Sequence, residues 1–270
     1  MRRRPLQLLG WAYCVLLVIF LLLPLVIIVP MSFGKSDLLI FPPTEVSTRW
    51  YDAVLNDGRW LESAKLSLWI AIGASVISVV AGFLVGIAHM RHGKISLGMR
   101  IFLMLPLVAP HVVMATGLFT LLLPLGLLGS APVLTLAHAC LAIPLTAIIF
   151  LNAVDTLDPL LWTAASSLGA KWPRIMREIV VPNLAISVIV GFLISFITSW
   201  DEVTLAIFIG PTIVPTLPTR MFAILQEMID PSVTAIATLL IVMTLVLGAS
   251  AALLGKLRGR REPKSDEATP

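Results

Sequence analysis

Charge is scarce in this 270-residue chain: Asp, Glu, Lys and Arg together make up 13% of it, about half the share found in soluble domains. That shortage excludes an ordinary water-soluble globule. Cysteine is scarcer still. Cys14 and Cys140 are the only two, both inside apolar runs, which excludes a disulfide framework and leaves them as small hydrophobes. A phosphate-binding loop is missing as well. Gly34, Lys35 and Ser36 have the right tail, but Val29 stands where the upstream glycine is required. His89, His92, His111 and His138 share no metal-ligand spacing with acids or cysteines, and no nucleophile–base constellation is present. No metal or cofactor is therefore expected on this chain. An inverted internal repeat, the mark of many secondary transporters, is also absent.

What is there is hydrophobic, at 58% of residues. Six apolar runs, at 6–31, 66–89, 101–123, 133–154, 184–209 and 233–254, are each long enough to cross a hydrocarbon core of about 30 Å. The first follows Arg2, Arg3 and Arg4 but is too long for a secretory signal and has no small-residue cleavage site, so it is expected to remain as an anchor. Pro24 and Pro30 inside it predict a kink or an early helix end. Placing the amino terminus in the cytoplasm puts Arg91, Lys94, Arg100, Lys171, Arg174, Arg177 and the basic cluster Lys256–Lys264 on that side too. Only Lys35, Arg49, Arg59, Lys65 and Arg220 are left outside. The positive-inside rule then fixes both termini in the cytoplasm. It also accounts for the net charge of +4 without nucleic acid. The expected fold is an all-α integral membrane protein of six transmembrane helices. Its organisation is an anchor helix over 1–31, a periplasmic loop over 32–62, a five-helix domain over 63–257 and a disordered cytoplasmic tail over 258–270.

One cytoplasmic segment, 156–182, is long, charged and punctuated. Asp158 is placed as an N-cap, Pro159 as the first helical residue and Gly169 as the residue just past the helix end. Leu161, Ala164, Ala165 and Leu168 fall at i, i+3, i+4 and i+7 and form one narrow apolar face. Such a face either packs on the protein's own helices or fits a groove on another protein, and periodicity does not choose between these. A second short helix is expected from Pro173 to Pro182, where the chain re-enters the membrane.

"AASSLG", nine residues and then "IVVP" resembles the EAA motif of type I ABC importer permeases, with Ala164, Ala165, Gly169, Ile179 and Pro182 at the motif's spacing. The resemblance implies that this loop is a coupling helix docking on a cytoplasmic ATPase. Thr163 stands where the motif usually has Glu, so an ion pair made by that Glu has no counterpart here. "FPPTEVSTRWYDAVL" (41–55), "SLWIA" (67–71) and "SWDEVTLAIFIGP" (199–211) look like the second permease of the spermidine/putrescine branch. That branch implies a paired second permease, two ATPase subunits that use ATP and Mg, a periplasmic solute-binding protein and a bacterial inner-membrane location. It also implies polyamine import by alternating access, without catalysis by this chain. Another amine, an amino acid derivative, a phosphonate or a small anion is the alternative cargo. A secondary transporter or channel is the reading from outside the class.

Asp201 and Glu202 are the strongest intramembrane signal. On one continuous fifth helix Asp201 would lie about 26 Å from the cytoplasmic end, where carboxylates cost a few kcal/mol unless they face water, a partner or a cation. On that helix the two would point about 100° apart, one to the path and one to a neighbour. They either line a substrate path or mark the helix end. Trp200 beside them either stacks on a cation or anchors at the interface. His111, following Pro110 in mid-span, is either a polar contact between helices or a substrate ligand. Gly82 and Gly86 have the spacing of close helix packing. The outer segment from Gly210 to Pro231 is read as a loop, then an amphipathic helix from Thr219 carrying Arg220 and Glu227, with Asp230 before the turn. It is a candidate outer gate or binding-protein contact, although solvated acids there need no such role.

Overall fold

The computed structural model describes residues 3–93, 95–227 and 230–259. Most of the tail expected to be disordered, 260–270, therefore lies outside the described residues, as do Arg2 and Lys94. Among the described residues twelve α-helices follow one another. They are α1 (Arg3–Ser32), α2 (Arg49–Asn56), α3 (Gly58–His92), α4 (Leu97–Val108), α5 (His111–Leu122), α6 (Ala131–Asp155), α7 (Pro159–Ser167), α8 (Trp172–Ile175), α9 (Val181–Trp200), α10 (Thr204–Ile209), α11 (Leu217–Glu227) and α12 (Ser232–Gly259). Among the described residues five stretches are long and apolar enough to cross a membrane alone, and the bent pair α4–α5, taken as one span, makes a sixth. Counted so, the expected number of spans is met, but several expectations about their shape need correction.

The third span is not one straight helix. It breaks at Ala109–Pro110, and α4 and α5 meet at 95°. Ala109 is extended at ψ 133°, as the residue before a proline prefers to be. Pro110 lacks the N–H that would continue the ladder. His111 thus opens a new helix rather than sitting in mid-span.

The fifth span ends early. α9 stops at Trp200, Asp201 caps it, and α10 starts at Thr204. Asp201 and Glu202 therefore lie in a break, and the helical angle expected between them does not apply.

Finally, the helix starting at Trp172 does not end at Pro182. It runs through a π-helical turn at Met176–Val180 into α9, with Val181 N–H donating to the Met176 carbonyl. A π turn shifts the bonding ladder at the point where proline cannot donate. Asn183 Nδ2 donates to the Ile179 carbonyl at 2.7 Å beside it. In the same vein, α1 is continuous through Pro24 and Pro30, and α11 begins at Leu217, two residues before Thr219.

The chain divides into two compact units, 1–61 with 221–243, and 62–220 with 244–270. In the first, Ser32 and Tyr51 share a hydrogen bond of 2.6 Å, Phe33 tilts against Tyr51, and Arg49 lies over the Trp50 ring at 4.3 Å. Lys35 donates to Glu45 at 2.7 Å and holds that carboxyl below the usual carboxylate range. These contacts give the 32–62 connection a defined shape.

In the second unit α6 is central and packs along α9. Two apolar cores flank it. One gathers Ile70, Ala115, Leu134, Leu205 and Ile209; the other gathers Val79, Phe150, Ile175, Val180 and Leu184. Polar bonds stitch α3 to α6: Ser78 Oγ donates to the Ala139 carbonyl at 3.1 Å, and Thr146 Oγ1 to the Ser78 carbonyl at 2.7 Å.

Gly82 and Gly86 allow this close approach. A Cβ on Gly82 would fall 2.7 Å from the Thr146 backbone, and one on Gly86 would meet Phe150 at 3.0 Å. Gly82→Ala is thus expected to destabilise the folded protein by about 1–3 kcal/mol through overpacking. Gly117→Ala, with nothing within 4 Å, serves as the neutral control. Thermal unfolding of both variants in detergent checks this; equal midpoints would mean that α3 and α6 separate freely.

Candidate functional site

Two places gather the residues singled out from the sequence. The first is α7 and its stems. Asp158 Oδ1 accepts from Leu160 N–H at 2.9 Å, the expected N-cap. At the other end Gly169 adopts φ +83°. Gly169 N–H donates to the Ser166 carbonyl at 2.9 Å and Ala170 N–H to the Ala165 carbonyl at 3.0 Å, together a Schellman ending.

The apolar face splits in two. Trp162 and Ala165 lie half-buried against the core around Phe150 and Ile175. Leu161, Ala164 and Leu168 stay uncovered, with Leu168 88% exposed. One edge of α7 therefore packs on the chain itself while the other edge faces outward. Thr163 Oγ1 donates to the Pro159 and Leu160 carbonyls, so its hydroxyl is turned back onto its own helix. Ile179 packs on the same core, and Pro182 is exposed in the first turn of α9.

The second place is where the breaks in the third and fifth spans meet. Glu202 is only 6% exposed. Its Oε1 accepts from Leu205 N–H at 3.0 Å, capping α10, and its Oε2 lies 2.9 Å from His111 Nδ1 at the start of α5. A buried carboxylate without such partners would be costly, so this contact ties α5 to α10. Asp201 differs: it is exposed, and no hydrogen bond holds its carboxylate among the described residues. Trp200 stacks on Phe196 at 5.5 Å, which in turn stacks on Phe192, making an aromatic ladder at i, i+4 and i+8 of α9.

Sequence reasoning missed His138. It is buried in α6, and its Nδ1 shares a hydrogen bond of 2.9 Å with Ser199 Oγ of α9. Its Nε2 is buried with no hydrogen-bond partner among the described residues, as are Ser195 Oγ and Trp200 Nε1. A histidine inside an apolar span was itself the available signal, and Ser195 and Ser199, one turn apart, were a second.

Arg220 Nε donates to Ser63 Oγ at 2.7 Å in the second unit. In the first unit Glu227 is exposed, and Asp230 Oδ1 accepts from Ser232 N–H at 2.8 Å at the start of α12. Among the described residues no group of His, Cys, Asp and Glu is placed to hold a metal.

The apolar crossings and the bent span make this a multi-pass membrane protein. The chain belongs to the family described as the binding-protein-dependent transport system inner membrane component, which matches residues 78–261. It is 30% identical over 231 residues to the spermidine/putrescine transport system permease protein PotC of Haemophilus influenzae, covering 84% of this chain and 89% of that one. It is also 30% identical over 243 residues to the putrescine transport system permease protein PotI of Escherichia coli, covering 86% and 85%. A bacterial ABC transporter that imports the acidic polysaccharide alginate shares the fold, with a TM-score of 0.65 at 19% identity over 91% of this chain and 96% of that chain. The protein is a multi-pass component of the bacterial inner membrane with the type I ABC importer permease fold.

Proposed function

We propose that this chain is one of two paired permease subunits of an ATP-driven importer for a polyamine of the spermidine or putrescine type. The observation that carries this reading is α7. It presents Leu161 and Leu168 outward, is closed by a Schellman turn at Gly169, and is anchored by Trp162 and Ala165 on the chain's own core. A helix so placed is a rigid apolar key for a cleft on a partner. Within the transport domain over 63–257, the 156–182 segment is the coupling loop, with Ile179 and Pro182 setting its return into α9.

Two ATPase subunits dock there, bind ATP and Mg, and supply the energy; this chain binds no nucleotide and catalyses nothing. A periplasmic binding protein delivers solute on the other side, where the 210–231 segment with Arg220, Glu227 and Asp230 is the contact or gate. The cargo reading is supported by the polyamine names of relatives at 30% identity and by the exposed Asp201 carboxylate beside the Trp200 ladder. The fold does not select it, since an importer of acidic alginate shares the fold.

Reconstitution tests the energy assignment. The purified chain alone in vesicles is expected to hydrolyse no ATP. Adding the ATPase and the second permease restores hydrolysis, and binding protein loaded with spermidine raises it further. ATP turnover by the isolated chain would refute the assignment.

A further inference from the structure

The cytoplasmic end of α3 touches both stems of the α7 loop. His89, 7% exposed in the last turn of α3, places Nε2 2.8 Å from Oδ1 of Asp155, the last residue of α6 before the loop begins. Its Nδ1 accepts from Ile95 N–H at 3.3 Å. With Nδ1 accepting, the bond to Asp155 is donated by Nε2–H, and one ring joins both partners. Two residues further on, the Arg91 guanidinium lies 5.5 Å from the ring centroid of Trp172, the first residue of α8, which follows α7. The chain just before the loop, at Asp155, and the chain just after α7, at Trp172, are therefore both held by the same helical turn.

The opposite end of α3 is held as well. Leu217 N–H donates to Ser67 Oγ at 2.8 Å, and Arg220 Nε to Ser63 Oγ at 2.7 Å. Between Ser63 and His89 the helix is unbroken, a distance of about 39 Å at 1.5 Å per residue. Gly82 and Gly86 press it against α6 along the way.

We propose that His89 and Arg91 form a clamp on both stems of the α7 loop, making α3 the rod that carries displacement of that loop to the 216–220 segment on the other side of the membrane. The proposal rests on the reading of α7 as the coupling helix. His89 is a positioning residue in it and touches no solute. The warrant is contiguity through one rigid element bonded at both ends, which calls for a direct measurement of coupling.

The measurement is spermidine transported per ATP hydrolysed by the complete importer in proteoliposomes. His89→Phe keeps a planar aromatic ring, somewhat larger, and loses both hydrogen bonds. It is expected to assemble with the ATPase and hydrolyse ATP while transporting roughly three- to tenfold less per ATP, the scale of losing one or two part-buried hydrogen bonds. His89→Gln keeps a donor toward Asp155 and should recover most of that ratio, which a general packing defect would not allow. Asp155→Ala removes a side chain that is 57% exposed, so it reports even if His89→Phe folds poorly, and the same loss is expected. Ser67→Ala at the far end should lower the ratio too, and joining it to His89→Phe should cost no more than the worse single change, since both cut one line. A normal ratio in Asp155→Ala, or losses that multiply in the double variant, overturns the clamp. Gly169→Val measured in parallel separates the two claims. If it uncouples while the His89 and Asp155 variants transport normally, the clamp alone is wrong; if it too is normal, the coupling reading fails.

Discussion

Gly169→Val is expected to leave the protein inserted in the membrane and to reduce ATP-driven uptake at least about tenfold. At φ +83° a glycine has no Cβ to collide with its own backbone, whereas a non-glycine residue held in that region costs about 1–2 kcal/mol and a β-branched one more. The surrounding space is empty, with nothing within 4 Å of a Cβ built there. The effect is thus local to backbone shape and not a clash with a neighbour. To relieve the strain the turn must reopen, giving up the bonds from Gly169 N–H and Ala170 N–H that close α7. Leu168, at the end of the outward face, would move with it. Asparagine tolerates the left-handed region better, so Gly169→Asn should retain most uptake. Co-purification of the ATPase together with uptake checks both variants. Full transport by Gly169→Val would show that the shape of this turn is irrelevant to coupling.

Asp201→Asn is expected to lower uptake of a polyamine by about 5–150-fold, corresponding to about 1–3 kcal/mol for a lost charged contact in a partly wet path. The side chain is exposed and makes no hydrogen bond among the described residues, so the neutral isostere leaves the fold and the assembled complex intact. Glu202 behaves differently, because its carboxylate already caps α10 and meets His111. Glu202→Ala strips both contacts and leaves the half-exposed His111 without its partner. Loss of assembled protein is therefore expected there, of the size of removing a buried hydrogen-bond acceptor from its partners, about 1–3 kcal/mol. Comparing uptake normalised to assembled complex separates the two roles. If Asp201→Asn transports spermidine at the unaltered rate, the carboxylate is not on the path, and the charge argument for a cationic cargo is lost with it.

The local signals of the α7 loop were legible because each acts within a few residues. Asp158 caps by a bond two residues along, Pro159 has a φ suited to the first helical position, and Gly169 answers to its own φ. The glycine pair of α3 was legible for a similar reason, since small residues four apart make one flat strip whatever they pack on. The two breaks were not. Hydropathy averages over a window of about 19 residues, and neither Pro110 nor the acidic pair lowers such an average enough to end a span. The contact that holds the breaks together joins His111 to Glu202, ninety-one residues later. No spacing rule connects them.

The sequence by itself determined which segments enter the membrane, which side the basic residues keep, and where the α7 helix starts and stops. Those are matters of transfer free energy, net local charge and backbone conformation, which residues settle with their immediate neighbours. Only the tertiary structure decided that Glu202 turns inward while Asp201 stays open, that one edge of α7 is covered and the other uncovered, and that the end of α3 meets Asp155 before α7 and Trp172 after it. Each of these depends on which distant groups share one volume. A buried polar atom takes its partner from whatever the fold brings within hydrogen-bonding reach, because being left without one costs about 1–3 kcal/mol.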